Sequence, residues 1–160
     1  MEKFNHIELN NEVTKRGENG FFKLEKDQEA IAEFLREVDY RTVKFSSEMK
    51  RLRYLVEENF YYNIFDKYIE DEIVECLELA KNFKFEFKSY MAASKFYKDY
   101  ALKTNDKKQY LENYNQHVFI VAMYLADGNV SLAKELMISM LEQRVQPATP
   151  TFLNSGRSRR

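Results

Sequence analysis

The sequence has 160 residues, with 25 Lys and Arg against 26 Asp and Glu, giving a formal net charge of −1. That length suits one compact domain, and 11 Tyr with 13 Phe are too many for a disordered chain. Only 4 Gly and 2 Pro argue against a turn-rich β sandwich or barrel, a single Cys excludes an internal disulfide framework, and the near-neutral charge excludes a uniformly basic nucleic-acid binder. No basic segment followed by an apolar one opens the sequence, and the longest apolar run, Val118 to Ala126, is about half of what a membrane span requires. The expectation is a soluble, cytoplasmic, mainly α-helical protein with neither membrane nor nucleic acid as partner.

Residues 1–25 read as an extended arm or small hairpin, because Glu18-Asn19-Gly20 is a turn signal with Val13 before it and Phe21, Phe22 and Leu24 after it. Asp27 is placed to accept from first-turn amides, and Ile31, Phe34, Leu35 and Val38 follow at helical spacing. Ser46 or Ser47 opens a second helix with Met49, Leu52, Leu55 and Val56 as its apolar positions. A third is predicted from about Asp66 to Ala80, with Ile69, Ile73, Val74, Leu77 and Ala80 on one face and Glu72, Glu75 and Glu78 towards water. Phe83, Phe85 and Phe87 alternate with Lys84, Glu86 and Lys88, the pattern of a short extended connection.

Ser89 opens a fourth helix with Ala93, Phe96, Tyr97, Tyr100 and Ala101 inward. Val118–Ala126 is apolar on all sides and predicts the most enclosed helix of the domain, which Asp127-Gly128 ends. Asn129 or Ser131 caps a last helix that buries Ala133, Leu136, Met137, Met140 and Leu141. The predicted organisation is therefore an arm over 1–25, a helical body over 26–144, and a distinct segment over 145–160.

That last segment holds both prolines, and each biases the residue before it, Gln146 or Thr149, towards an extended or turn conformation. It also concentrates positive charge, since Arg144, Arg157, Arg159 and Arg160 follow the last acid, Glu142. The pair Phe152-Leu153 calls for burial with no further element to cover it, so the end reads as cut.

The common chemical motifs are missing. There is no CxxC, HExxH or ExxH, and neither GxGxxG nor GxxxxGK[ST] occurs. No residue stands out as catalytic or as a metal ligand. His6 and His117 read as capping or partly buried side chains, and Glu72, Glu75 and Glu78 as a solvated helix face. Cys76 reads as inert, because the surrounding acids disfavour its thiolate. Gly17-Glu18-Asn19-Gly20 matches a bare GxxG but carries an acid, so a hairpin turn is the stronger reading.

The informative pattern is joint. Ser89-Tyr90-Met91-Ala92-Ala93-Ser94-Lys95-Phe96-Tyr97 leads to Ala101-Leu102-Lys103-Thr104-Asn105-Asp106, then to Tyr110-Leu111-Glu112-Asn113, Leu125-Ala126-Asp127-Gly128 and Gln146-Pro147-Ala148-Thr149-Pro150-Thr151-Phe152-Leu153-Asn154. Together with the opening Leu9-Asn10-Asn11-Glu12, this resembles the N-terminal region of the large (alpha) subunit of class Ib ribonucleotide reductase, along essentially the whole chain. Its most specific pieces are Ala148-Thr149-Pro150-Thr151 and Ala101–Asp106.

The resemblance implies a helical domain that leads through the Pro-rich segment into a ten-stranded α/β barrel. It implies reduction of ribonucleoside diphosphates to deoxyribonucleoside diphosphates for DNA synthesis, with Thr149 as a substrate-binding position. The implied partners are the diphosphate substrate, the remainder of the alpha subunit, a thiol redox protein as reductant, and a radical-generating beta subunit that carries a dimanganese or diiron tyrosyl-radical centre. No cofactor is implied in this chain. The family's pattern continues with a Gly-Glu-Leu-Val-Ser-Cys-type segment that is absent here, as are the radical and redox cysteines, so the fragment alone is expected to be inactive. The alternative is a free-standing helical regulatory module derived from the same family.

Overall fold

The computed structural model describes residues 20–158. It is mainly helical, as the periodicity predicts, and forms two compact units, each built from two stretches of chain. One takes the residues up to Val43 and Glu86–Leu111; the other takes Lys44–Phe85 and the residues from Glu112 onward.

In the first unit, α1 (Gly20–Tyr40) packs on α4 (Tyr90–Lys95). Ala30, Ile31, Phe34 and Val38 are buried. Because α1 begins at Gly20, the extended reading of residues 20–25 is corrected to helix, and the rest of the expected arm lies outside the described residues. Phe21 and Leu24 continue the helical register of Ile31, a longer-range signal than the Asn19-Gly20 turn signal just before them. Asp27 is likewise not the cap of its own helix: its Oδ1 accepts from the backbone N–H of Tyr90, the first residue of α4, at 3.1 Å. Ser89 caps the same end by accepting from Ala92 N–H at 3.1 Å, so two side chains satisfy one helix start. A π-type turn, Phe96–Tyr100, follows, with Phe96 and Tyr97 buried.

The second unit holds α2 (Glu48–Glu57), a 3-10 turn (Ile64–Asp66), α3 (Glu70–Asn82), α5 (Tyr114–Ala126), α6 (Val130–Leu141) and α7 (Thr149–Asn154). Helix α5 is its centre and packs against α3, α6 and α7. Residues 117–123 and Ala126 are buried, but Tyr124 (45%) and Leu125 (40%) are exposed, so the all-round enclosure expected for Val118–Ala126 fails at those two positions. Ser47, rather than Ser46, caps α2, and Asn129 caps α6. Asp127, in the left-handed region at φ 45°, ends α5.

Two inward positions predicted for α3 are wrong: Ile69 is 65% and Val74 38% exposed. The helix starts only at Glu70, with Ile69 extended before it, so the buried stripe is Ile73, Cys76, Leu77 and Ala80.

The C-terminal segment is irregular over residues 145–148 and then turns helical. Thr149 is the first residue of α7, followed by Pro150, where a missing N–H costs nothing because first-turn amides have no intrahelical acceptor. This corrects the extended or turn conformation expected of Thr149 in the Pro-rich segment to a helical one. Phe152 is not left uncovered either. Its ring is buried beside Tyr114 and His117 of α5.

Candidate functional site

Residues 112–117, Glu-Asn-Tyr-Asn-Gln-His, form a hub in which neighbouring side chains tie down different segments of the second unit. Asn113 caps α5 by accepting from Gln116 N–H at 2.9 Å, and Gln116 returns the bond to Asn113 N–H at 2.8 Å. The Gln116 amide also donates to the Glu48 carboxylate at the start of α2, at 2.9 and 3.1 Å. Tyr114 stacks on Phe85, with ring centroids 3.9 Å apart. Asn115 donates to the carbonyls of Ala80 and Phe83 at 2.8 and 2.9 Å, closing the C-terminal end of α3.

Beneath the hub lies a buried ionic cluster. The Glu112 carboxylate accepts from His117 Nδ1 at 2.6 Å, from Arg157 Nη2 at 3.0 Å and from the Tyr61 hydroxyl, while Arg51 Nη2 stands 4.0 Å away. Arg51 Nη2 also donates to the Tyr61 oxygen at 2.9 Å. Burial alone would raise the Glu112 carboxyl. The charge and hydrogen bond of His117, then Arg157 and the Tyr61 hydroxyl, outweigh it and hold the group well below the usual carboxylate range. Burial pushes the Tyr61 hydroxyl far above its ordinary value; Arg51 opposes the shift, and the Glu112 charge and bond add to it.

This cluster fixes the C-terminal hook, α7 and the residues after it to 158, from two sides. Arg157 pairs with Tyr61 in a one-residue antiparallel bridge, Tyr62 N–H donates to Gly156 O at 2.9 Å, and Ser158 N–H donates to Phe60 O at 3.0 Å. On the other side, His117 Nε2 meets the Phe152 carbonyl at 2.6 Å, and the two rings touch edge to face, with centroids 4.5 Å apart. Thr149, at the far end of the same short helix, is exposed. The hook thus offers Thr149 at an open surface on a turn whose other end is locked.

Of the residues singled out in the sequence, His117 is fully buried as a hydrogen-bond partner of Glu112 rather than merely partly buried, and His6 lies outside the described residues. Cys76 is buried, and its thiol is pushed up to about 11, by burial first, with Glu75 and Glu72 adding and Lys134 opposing. The acids named in the sequence reading are thus the lesser cause. Among the described residues no group of three or more His, Cys, Asp and Glu side chains is gathered as a metal site, and no helix is long and apolar enough to cross a membrane. Sequence reasoning missed the roles of Glu112, Tyr61, Arg51 and Arg157. The one local signal was a polar Glu-Asn-Tyr-Asn-Gln-His stretch set directly before the most apolar run of the chain.

The helical architecture agrees with family comparison. Residues 6–85 match the model of the ribonucleotide reductase N-terminal domain, and residues 86–160 match that of the ribonucleotide reductase all-alpha domain. The chain belongs to the ribonucleotide reductase family and corresponds to the N-terminal region of its alpha subunit.

More particularly, it is 46% identical over 160 residues to the ribonucleoside-diphosphate reductase NrdEB subunit alpha of Bacillus subtilis (strain 168), covering 98% of this chain and 14% of that protein. It is also 46% identical over 158 residues to the ribonucleoside-diphosphate reductase subunit alpha of the same organism, covering 96% of this chain and 22% of that protein. The corresponding subunit of Mycoplasma pneumoniae is 41% identical over 143 residues, covering 88% of this chain and 20% of that protein. The chain therefore spans less than a quarter of the length of these curated relatives.

Proposed function

We propose that this chain serves as the N-terminal part of a cytoplasmic class Ib ribonucleoside-diphosphate reductase alpha subunit and supplies one edge of the substrate site. The observation that carries the reading is the placement of Thr149, exposed at the start of α7 on a turn anchored through Phe152 and Arg157 to buried partners and through Gly156 to the Tyr62 backbone. A diphosphate needs short hydroxyl and N–H donors on a rigid support without long side chains intruding, and the Ala-Thr-Pro-Thr turn provides these.

What this chain contributes is binding and orientation. The ribose chemistry belongs to cysteines of the remaining alpha polypeptide, because Cys76 is buried on α3 with its thiol held protonated. The radical centre, dimanganese or diiron, belongs to a separate beta subunit, and a thiol redox protein supplies electrons.

The test is reconstitution. The chain is mixed with the complementary remainder of an alpha subunit and with a beta subunit, and reduction of a ribonucleoside diphosphate is followed. Activity well above that of the remainder and beta subunit alone is the expected result. No gain across a range of chain concentrations overturns the proposal.

A further inference from the structure

Helix α7 has only six residues, too few to hold its shape without outside contacts, so whatever fixes it also fixes Thr149. Its last carbonyls have no partner within the helix and must find donors elsewhere. Ser155 N–H takes the carbonyl of Thr151 and Arg157 N–H that of Asn154, both at 3.1 Å. The Phe152 carbonyl is taken by a side chain, His117 Nε2, at 2.6 Å.

The other ring nitrogen, Nδ1, faces Glu112 Oε1 at 2.6 Å. A carbonyl and a carboxylate both only accept, so both contacts are hydrogen bonds only when both nitrogens carry hydrogen. Such a ring is a charge-assisted donor at the C-terminal end of α7, where positive charge is favoured. His117 also meets the Phe152 ring edge to face, at an interplanar angle of 88°. One side chain therefore fixes both the depth of Phe152 and the rotation of α7 about its own axis.

We propose that His117, held by Glu112, is a positioning residue for the diphosphate site, setting through the Phe152 carbonyl where Thr149 stands. The proposal rests on the reading of Thr149 as a substrate contact, and its test separates the two. In the assembled reductase, His117→Leu keeps the volume and removes the donor, while His117→Gln keeps one donor. The expected result is a KM for the diphosphate about tenfold higher in His117→Leu with kcat little changed, and most of that loss recovered in His117→Gln. An unchanged KM in His117→Leu, or equal losses in the two variants, overturns the positioning role.

A second measurement uses the 160-residue chain without ligand. Amide hydrogen exchange over residues 149–154 is expected to rise about tenfold in His117→Leu and to return towards the parent rate in His117→Gln, with the amides of α3 unchanged. Unaltered exchange over 149–154 in His117→Leu refutes the positioning role whatever Thr149 binds. Conversely, a Thr149→Ala enzyme with normal KM refutes the substrate reading, while the exchange comparison still decides what His117 does. Should His117→Leu not fold, His117→Asn replaces it in both measurements with the same expected direction.

Discussion

Gly156 lies against Ile120 with no room for a methyl group: a Cβ there would stand 2.6 Å from Ile120 Cγ1 and 3.0 Å from the Ile120 carbonyl oxygen. Its φ of +83° also falls in the left-handed region that residues with a side chain avoid. The hook thus closes onto the middle of α5 at the one point where the backbone is bare. Gly156→Ala must either shift the hook or strain α5, at a cost of about 1–3 kcal/mol. Urea unfolding of the chain checks this, and a midpoint equal to that of the parent would show that the hook does not seat on α5.

Glu112 makes acid stability a direct readout of the buried cluster. Its carboxyl is held below the ordinary value of 4.5, so the stabilisation is fully present above that value and is lost as pH falls below it towards the folded-state value. In the unfolded chain the carboxylate takes up a proton first, and this draws the equilibrium towards unfolding. Glu112→Gln leaves His117, Arg51 and Arg157 around a neutral group and should lower stability by about 3–5 kcal/mol near neutrality. The variant should also lose less further stability between about pH 5 and pH 3 than the parent does. Parallel pH profiles for the two proteins would remove Glu112 from the acid transition.

The helices were legible where apolar spacing is regular and one face decides the answer. Val118–Ala126 announced the buried centre, and Ser47, Ser89 and Asn129 announced three helix starts, because a cap is a contact within a few residues. Errors arose where the partner is distant in sequence. Asp27 has the chemistry of a cap, but the helix it caps begins 63 positions later, at Tyr90. Phe152 seemed uncovered because its cover, Tyr114 and His117, precedes it by more than thirty residues. The support of the candidate site was hidden for the same reason: Arg51, Tyr61, Glu112, His117 and Arg157 share no spacing, and only folding brings their charges together. Thr149 came from family resemblance, which carries information that periodicity does not hold.

Cys76 should be slow to modify. With its thiol raised from 9.0 to about 11, the thiolate fraction at about pH 8 is roughly a hundredfold below that of an ordinary cysteine, and burial adds to the protection. A disulfide reagent should label the native chain at least about a hundredfold more slowly than the urea-unfolded chain. Equal rates would mean that α3 opens readily around this position.

Asn115 bonds two carbonyls at the end of α3 and is only partly buried, so water recovers some of what Asn115→Ala removes. The loss should be about 1–2 kcal/mol, with amide exchange rising first near Ala80 to Phe83. A change spread evenly over the second unit would argue for a general packing role instead of a local closure of α3.

Thr149 is exposed, so its substitution should cost little stability, within about 0.5 kcal/mol, and show chiefly in binding. A hydroxyl bonded to a charged oxygen contributes about one to two decades of affinity, which sets the expected loss in Thr149→Ala when the KM for a ribonucleoside diphosphate is measured in the assembled reductase. Thr149→Ser keeps the hydroxyl and loses only a methyl group, so its KM should stay close to that of the parent. The contrast separates chemistry from shape: a site that merely needs a β-branched residue to shape the turn would reject Ser and Ala alike. Equal KM values in all three proteins would remove the hydroxyl from the diphosphate site, and α7 would then be a structural end-piece seated by His117 and Gly156.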